Sequence, residues 1–384
     1  MTSSDRKQAT IVSHEIHEHG GQERVTARLV RLLLDDGWSV TTVARRCELP
    51  DHPGLRKLSV PGPSRPTALA FPWFFLAGSL LVLRHRRGLL HVNGSVVPNA
   101  ADVATVHFCH AAFEEVRAAE GFRRSQRRNA AYLLNELVAG ILYRASERIA
   151  YRPSRRRRLV AVSEGLAKEL AAHFPRMAGL IETIPNAVDP VEFRPDAELR
   201  SRVRSELGLS PDELVCLFVG GDWERKGLRI AIESLVDATE WRLLVVGGGD
   251  EERYRSLADD LGVGSRVTFA GPQQETAGFY AAADAFVLPT AYEANCLVAF
   301  EAAASGVPVV LSPVSGLPQD VSSGVDGYVV ERDPAAVAAT LLELRSGEIR
   351  KRLGERGRQL VAATTWQRVE AAYTDLYRRL GVAA

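Results

Sequence analysis

The stretch DAFVLPTAYEANCLVAFEAAASGVPVV (Asp284–Val310) runs from an apolar segment ending in proline, through a polar loop, into an Ala-rich segment free of glycine until Gly306, and then into a second apolar segment. This pattern predicts strand, loop, helix and strand, with Glu293 in the loop and Glu301 on the first turns of the helix. Open α/β sheets bind ligands beyond the carboxyl ends of their strands, which is where this loop falls. If one helix ran through both glutamates, their backbones would be about 12 Å apart at 1.5 Å rise per residue. Carboxylates that work as a glycosidic acid–base pair stand about 5–9.5 Å apart. The two residues therefore read as separate grips on an extended ligand, as carboxylates hold ribose hydroxyls in doubly wound nucleotide sites.

The same alternation extends over the whole chain. In the first half ATIVSHEI, WSVTTVA, LLHVNG, ADVATVHF, RLVAVSE and IETIP read as strands, separated by amphipathic stretches such as Glu23–Asp36, Asn129–Arg148 and Gly165–Phe174. In the second half LVCLFVG, WRLLVVG, RVTFAG, DAFVLPT, VPVVLSP and GYVV alternate with helical stretches such as Gly227–Asp237 and Glu251–Leu261. Strands interleaved with helices imply parallel sheets in βαβ units, and 384 residues suffice for two doubly wound domains. The boundary is expected near NAVDPVEFRPDAELRSRVRSELG, giving domains 1–195 and 196–364, with a last helix over 365–384 that packs back on the first.

Composition narrows the class. Hydrophobic residues make up 46% and charged residues 25%, as in a globular protein. Cys47, Cys109, Cys216 and Cys296 are scattered without metal-ligand spacing, which indicates a reducing compartment, and the polar start MTSSDRKQ is no signal peptide. A cytoplasmic protein is expected. The most apolar window, Ala68–Leu83, contains Pro72 and is shorter than the roughly 20 residues of a spanning helix, so it reads as buried or interface-lying. Charge is uneven: residues 1–195 hold 28 Lys/Arg against 19 Asp/Glu, and residues 196–384 hold 20 against 28. A basic half suits an anionic partner or membrane surface, or is ordinary solvated surface.

Three further segments carry chemistry. In FVGGDWERKG (Phe218–Gly227) a strand ends in two glycines, and Arg225 and Lys226 stand before a helix, a setting for an anion; the P-loop pattern is not met. In HEHGGQERV (His17–Val25) Gly20 and Gly21 turn the chain from the first strand into the first helix, without the full dinucleotide fingerprint. In ATVHFCHAAF (Ala104–Phe113) His107 closes a strand, with His110 three residues on and no third metal ligand at useful spacing. Each is, taken singly, also an ordinary turn, helix start or structural histidine.

Together these segments resemble the family 4 glycosyltransferases, retaining enzymes of the GT-B fold, over nearly the whole chain. The resemblance rests on GGQERV, VAVSEGLAKEL, IPNAVDPVEFRPD, FVGGDWERKG, VVGGGDEERYRSLADDLGVGSRVTFAG and the Glu293-x7-Glu301 stretch, in that order. It implies two Rossmann-like domains facing across a cleft, an acceptor-binding N-terminal one and a nucleotide-sugar-binding C-terminal one. It further implies that Lys226 binds the donor diphosphate, Glu293 the donor sugar and Glu301 the ribose, that His107 lies near the anomeric centre and donor sugar, and that Gly21 lets the first loop approach the phosphates and the acceptor. Much of the family has Arg where Gly221 stands here; Arg225 is the expected substitute, as in the branch resembling lipopolysaccharide-core glucosyltransferases. The usual E-x-F-G-L is Glu293-Ala294-Asn295-Cys296-Leu297, so a donor-contacting glycine is missing, and Asn295 is expected to compensate by adopting positive φ. Ala187 in PNAVD, where glycine is common, is a minor departure.

The expected activity is transfer of a hexose from a nucleotide-diphosphate sugar, uridine favoured, to a saccharide, lipid-linked or small-molecule acceptor with retention of configuration. No Asp-x-Asp pair offers a metal site, so Arg225, Lys226 and helix-start amides would meet the leaving-group charge, and no metal or other cofactor is expected. A nucleotide-sugar epimerase and a non-catalytic scaffold of the same fold are the alternatives. The arginine clusters Arg152–Arg158 and Arg123–Arg128 have few interleaved aromatics, which argues against nucleic acid; with Ala68–Leu83 they suit peripheral contact with the inner face of an anionic membrane.

Overall fold

The computed structural model describes residues 7–18, 20–121, 130–154, 157–314, 316 and 321–381. It separates into two compact units, one formed by Met1–Asn186 with Gln367–Ala384 and the other by Ala187–Trp366. The division falls at the first residues of the connection singled out in the sequence, ahead of position 195, and it assigns most of the last helix (Trp366–Arg379) to the first unit.

In the first unit the strands are β1 (Gln8–Val12), β2 (Glu15–Ile16), β3 (Ser39–Ala44), β4 (Arg46–Cys47), β5 (Leu55–Ser59), β6 (Leu89–Asn93), β7 (Val103–Val106), β8 (Arg158–Ala161) and β9 (Ile181–Thr183). Seven of them form one parallel sheet in the order β5-β3-β1-β6-β7-β8-β9, and β2 pairs with β4 apart from it. The central strands are buried along nearly their whole length, which is why they read as unbroken apolar runs and not as alternating ones. ATIVSHEI, read as one strand, is two. Ser13 Oγ donates to Glu15 O at 3.0 Å and His14 packs on Phe74 with ring centroids 4.4 Å apart, so the chain turns between β1 and β2. Edge strand β5 (LRKLS) escaped notice because Arg56 and Lys57 interrupt its apolar pattern; charge on an edge discourages pairing with another chain.

The last helix is fastened to this unit by a buried polar chain. His91 Nδ1 lies 2.5 Å from the Tyr377 hydroxyl, His91 Nε2 2.8 Å from Thr105 Oγ1, and Thr105 Oγ1 2.9 Å from the Tyr373 hydroxyl. Arg379 adds a two-pronged pair to Glu182, at 3.1 and 2.6 Å.

In the second unit β10 (Leu214–Val219), β11 (Trp241–Val246), β12 (Val267–Gly271), β13 (Ala285–Leu288), β14 (Val309–Leu311) and β15 (Tyr328–Val329) form a parallel sheet ordered β12-β11-β10-β13-β14-β15. Strand order reverses between β10 and β13, whose registers pair Cys216 with Ala285 and Leu217 with Phe286. Such a reversal opens a crevice at the carboxyl ends of the two central strands. The core beneath is continuous and holds Trp241, whose indole donates to Leu341 O at 2.9 Å.

Candidate functional site

The loops after β10 and β13 meet at this reversal. Past β10 the chain turns at Gly220 (φ +143°) and passes Asp222, the one non-glycine residue with positive φ among those described (φ +50°). It then forms a single helical turn, Trp223–Lys226, which ends at Gly227 (φ +79°). Arg225 and Lys226 thus stand ahead of the helix Leu228–Ser234, as expected, and they also close a one-turn helix of their own before Gly227. Space dictates Gly227, where a Cβ would lie 2.2 Å from Pro289 O; at Gly220 the backbone φ requires glycine, since the nearby Lys226 side chain could move aside. Trp223 anchors the turn, donating its indole hydrogen to Gly220 O at 2.9 Å and packing against Tyr254 and Phe269.

Against this turn lies the loop after β13, stitched on by Ala291 N donating to Arg225 O at 2.9 Å. Glu293 Oε1 accepts from Lys226 Nζ at 2.7 Å and from Arg225 Nη1 at 3.0 Å. Arg225 also donates from Nε to Asp222 Oδ2 at 3.0 Å and from Nη1 to the Tyr292 carbonyl. Burial alone would raise the Glu293 carboxyl; Lys226 and Arg225 outweigh it and hold the group below its usual range. The cluster is two cations against two carboxylates, so any anion reaching it would compete with Glu293 for the cations.

Glu301 sits on the following helix, Leu297–Ala304, as expected, and is buried. Its Oε2 accepts from the Tyr280 hydroxyl at 2.9 Å. The two glutamates thus face different partners. Asn295 does not take positive φ, because Asp222 alone among the described non-glycine residues does so. Close approach to this loop comes instead from Gly316: a Cβ there would stand 2.4 Å from Glu293 O and 2.6 Å from Asn295 N, and Gly316 O accepts from Cys296 N at 2.8 Å. Cys296 is buried at the cap of the helix, and burial pushes its thiol up to about 12, so it is no nucleophile. The Leu297 amide donates to Asn295 O at 3.0 Å.

In the first unit, Gly21 caps the helix Gln22–Asp35, and Val25 N donates back to its carbonyl at 3.2 Å. His107 follows β7 and lines a small cavity with Asn93, Thr105, Tyr373 and His91. Burial lowers its pKa to about 4, so its ring is neutral at pH 7. His110 opens the helix His110–Glu120 and stacks on Tyr143 at 4.3 Å. Arg123–Arg128 lies outside the described residues, as do Arg155 and Arg156. Arg157 is buried, donating to the carbonyls of Ala101, Ala150 and Arg152, and Arg158 pairs with Glu182, so neither adds to a cationic surface. Among the described residues no three His, Cys, Asp or Glu side chains gather as a metal-ligand set.

Sequence reasoning missed Asp222, Gly316 and Tyr280. Asp222 follows a double glycine, which signals a turn in the sequence but not which residue takes positive φ. Gly316 and Tyr280 come from other segments and leave no signal.

Comparison with known proteins matches residues 19–192 to the family described as Glycosyltransferase Family 4 and residues 213–346 to Glycosyl transferases group 1. A D-inositol 3-phosphate glycosyltransferase of Streptomyces bingchenggensis is 35% identical over 238 residues, covering 57% of this chain and 52% of that protein. The chain thus spans about half the length of the curated relatives it matches. Among solved structures, WaaG, a glycosyltransferase involved in lipopolysaccharide biosynthesis, superposes with TM-score 0.80 at 20% identity, over 96% of this chain and 99% of the other. Anabaena HepE, solved in complex with UDP and glucose, gives 0.70 at 17% identity, over 97% and 100%. These likenesses establish the fold.

Proposed function

This chain belongs to the family 4 glycosyltransferases of the GT-B fold, and from that premise we propose that it moves a hexose from a nucleotide-diphosphate sugar to an acceptor hydroxyl, with retention of configuration and without a metal ion. The observation that carries the reading is the Arg225–Lys226–Glu293 cluster at the strand-order reversal. A departing nucleoside diphosphate gathers negative charge, and two mostly buried cations already oriented on one helical turn meet it without reorganisation. The donor diphosphate takes the place of Glu293 on the cations, and Glu293 turns to the hexose hydroxyls. Glu301 holds the ribose, and neutral His107 serves the transfer as a hydrogen-bonding group near the anomeric carbon.

Uridine is the favoured base, and HepE with bound UDP supports it by likeness of fold. The acceptor is a saccharide, a lipid-linked sugar or a small metabolite; the relatives named for inositol phosphate and for lipopolysaccharide span that range. No disulfide joins Cys47, Cys109, Cys216 and Cys296, which favours a reducing, cytoplasmic setting.

The test is thermal unfolding with UDP, GDP, ADP and CDP in EDTA, for the wild type and Glu301→Ala. Ligand at 100 times its dissociation constant adds about 2.7 kcal/mol, a rise of roughly 2–4 °C per kcal/mol. A shift with UDP that Glu301→Ala abolishes is expected. No shift with any nucleotide would overturn the reading in favour of a non-catalytic scaffold, and donor consumption without acceptor would favour an epimerase.

A further inference from the structure

Two helices of the first unit carry an apolar surface that none of the described residues covers. Thr67–His85 has two stripes. Ala70, Phe74, Gly78 and Val82 recur every four residues and are buried, whereas Leu69, Trp73, Leu76, Leu80 and Leu83 are each half or more exposed. The helix Ala130–Ala150 packs beside it: Ala68 N donates to Asn135 Oδ1 at 2.9 Å, and Phe71 meets Tyr143 edge-on at 4.8 Å. It adds Leu133, Leu134, Leu137 and Ile141, also half or more exposed. Nine large apolar side chains on two adjoining helices are more than a monomer in water ordinarily leaves uncovered.

Charge says what fits there. From His52 to Ala101 the chain has no Asp or Glu and six Lys or Arg. Arg65 before the helix, and Arg84 and Arg87 at its end, are exposed and form no ion pair among the described residues. The acids of the second helix are Glu136 and Glu147, the latter buried and accepting from the amides of His110 and Ala111. A second copy of the chain would cover the leucines but bring two sets of the same arginines together, which costs binding energy. An anionic lipid surface satisfies both features. Thr67–His85 is long and apolar enough to cross a membrane. Crossing would strip Phe74 and Val82 from the core, so the helix lies in the plane of the surface.

We propose that this two-helix face docks the first unit on an anionic bilayer, with the outer leucines and Trp73 at the acyl boundary and Arg65, Arg84 and Arg87 on lipid phosphates. The Trp73 indole hydrogen is already donated to Pro61 O at 2.7 Å, so its ring offers the bilayer an apolar edge. The proposal goes beyond sugar transfer and draws on no residue of the donor site.

It is tested by flotation of the full chain with phosphatidylcholine vesicles, with and without about one third phosphatidylglycerol. The wild type floats with the anionic vesicles, and Leu76→Gln/Leu80→Gln floats at least tenfold less. Arg84→Gln/Arg87→Gln loses the preference for anionic vesicles. All four positions are exposed, so unfolding midpoints stay near wild type and serve as the folding control. Wild-type protein that stays in the buffer fraction with both vesicle types overturns the proposal, as do variants that float like wild type. A dimer broken by the leucine changes, with no flotation, gives the face to a second copy instead. No sugar nucleotide is present, so failure here leaves the transferase reading standing.

Discussion

Glu293 Oε1 lies 2.7 Å from Lys226 Nζ, joining loops that follow two different strands on either side of the strand-order reversal. The carboxylate occupies the cations as an internal anion. It keeps them from repelling each other in a site where side chains are 12–16% exposed.

Replacing Glu293 with Gln separates its two roles. UDP affinity is expected to rise about tenfold, because a phosphate no longer displaces a carboxylate. Transfer falls by at least about 100-fold, because the sugar loses its charged partner. Calorimetric titration and product formation read the two; weaker UDP binding in the variant would sink the competition argument. The pH dependence has a definite sign. The folded-state pKa of Glu293 lies below its unfolded value near 4.5, so its contribution is complete above that value and is lost as pH falls through the folded one. The urea midpoint of wild type minus that of Glu293→Gln therefore shrinks on acidification below about pH 4.5.

Asp222 holds a backbone conformation that costs most L-residues about 1–2 kcal/mol. Asp222→Ala should destabilise by about that amount, since it keeps a Cβ and loses the carboxylate. Asp222→Gly should stay within about 0.5 kcal/mol of wild type. Its ion pair to Arg225 is too exposed to alter this order. Equal losses in urea denaturation would mean that φ does not set the choice of residue.

Gly316→Ala drives a Cβ into backbone atoms, which cannot rotate aside. A loss of about 1–3 kcal/mol in stability is expected, together with weaker UDP binding as the Glu293 loop is displaced. A variant that matches wild type in both would show that Gly316 yields freely against the loop.

Acid should weaken the first unit through its buried histidines. Burial first, and His107 second, pull the His91 pKa from 6.5 to about 3. The ring is neutral when folded and charged when unfolded between those values, so its contribution is complete above pH 6.5 and is lost on descent toward about 3. The slope is about 1.4 kcal/mol per pH unit. His91→Gln should be less stable at pH 7 yet lose less between pH 7 and about 5. Identical slopes would place the acid sensitivity elsewhere; His14 and His107, each lowered to about 4, retain part of it.

The sheets were legible because strands buried on both faces write apolar runs, and Asp284–Val310 spelled out one strand–loop–helix–strand passage in full. The loop position of Glu293 followed from it. The pairing with Lys226 did not, since nothing local joins residues 226 and 293; only the strand order brings β10 beside β13. Asn295 misled for a related reason. A missing glycine was sought within its own stretch, whereas tertiary packing supplies the close approach from Gly316. His91 is an apolar-strand histidine by its neighbours, and its partners Tyr373 and Tyr377 lie at the far end of the chain.

That far end sets an order of events during synthesis. The first unit cannot close until residues 367–381 have left the ribosome, and by then the whole second unit has been made. Until Tyr373 and Tyr377 arrive, His91 and Thr105 are without two of the partners that satisfy them in the finished protein. The unit translated first is therefore the one completed last, and its nascent sheet must be kept from wrong partners for the time needed to translate some 180 residues.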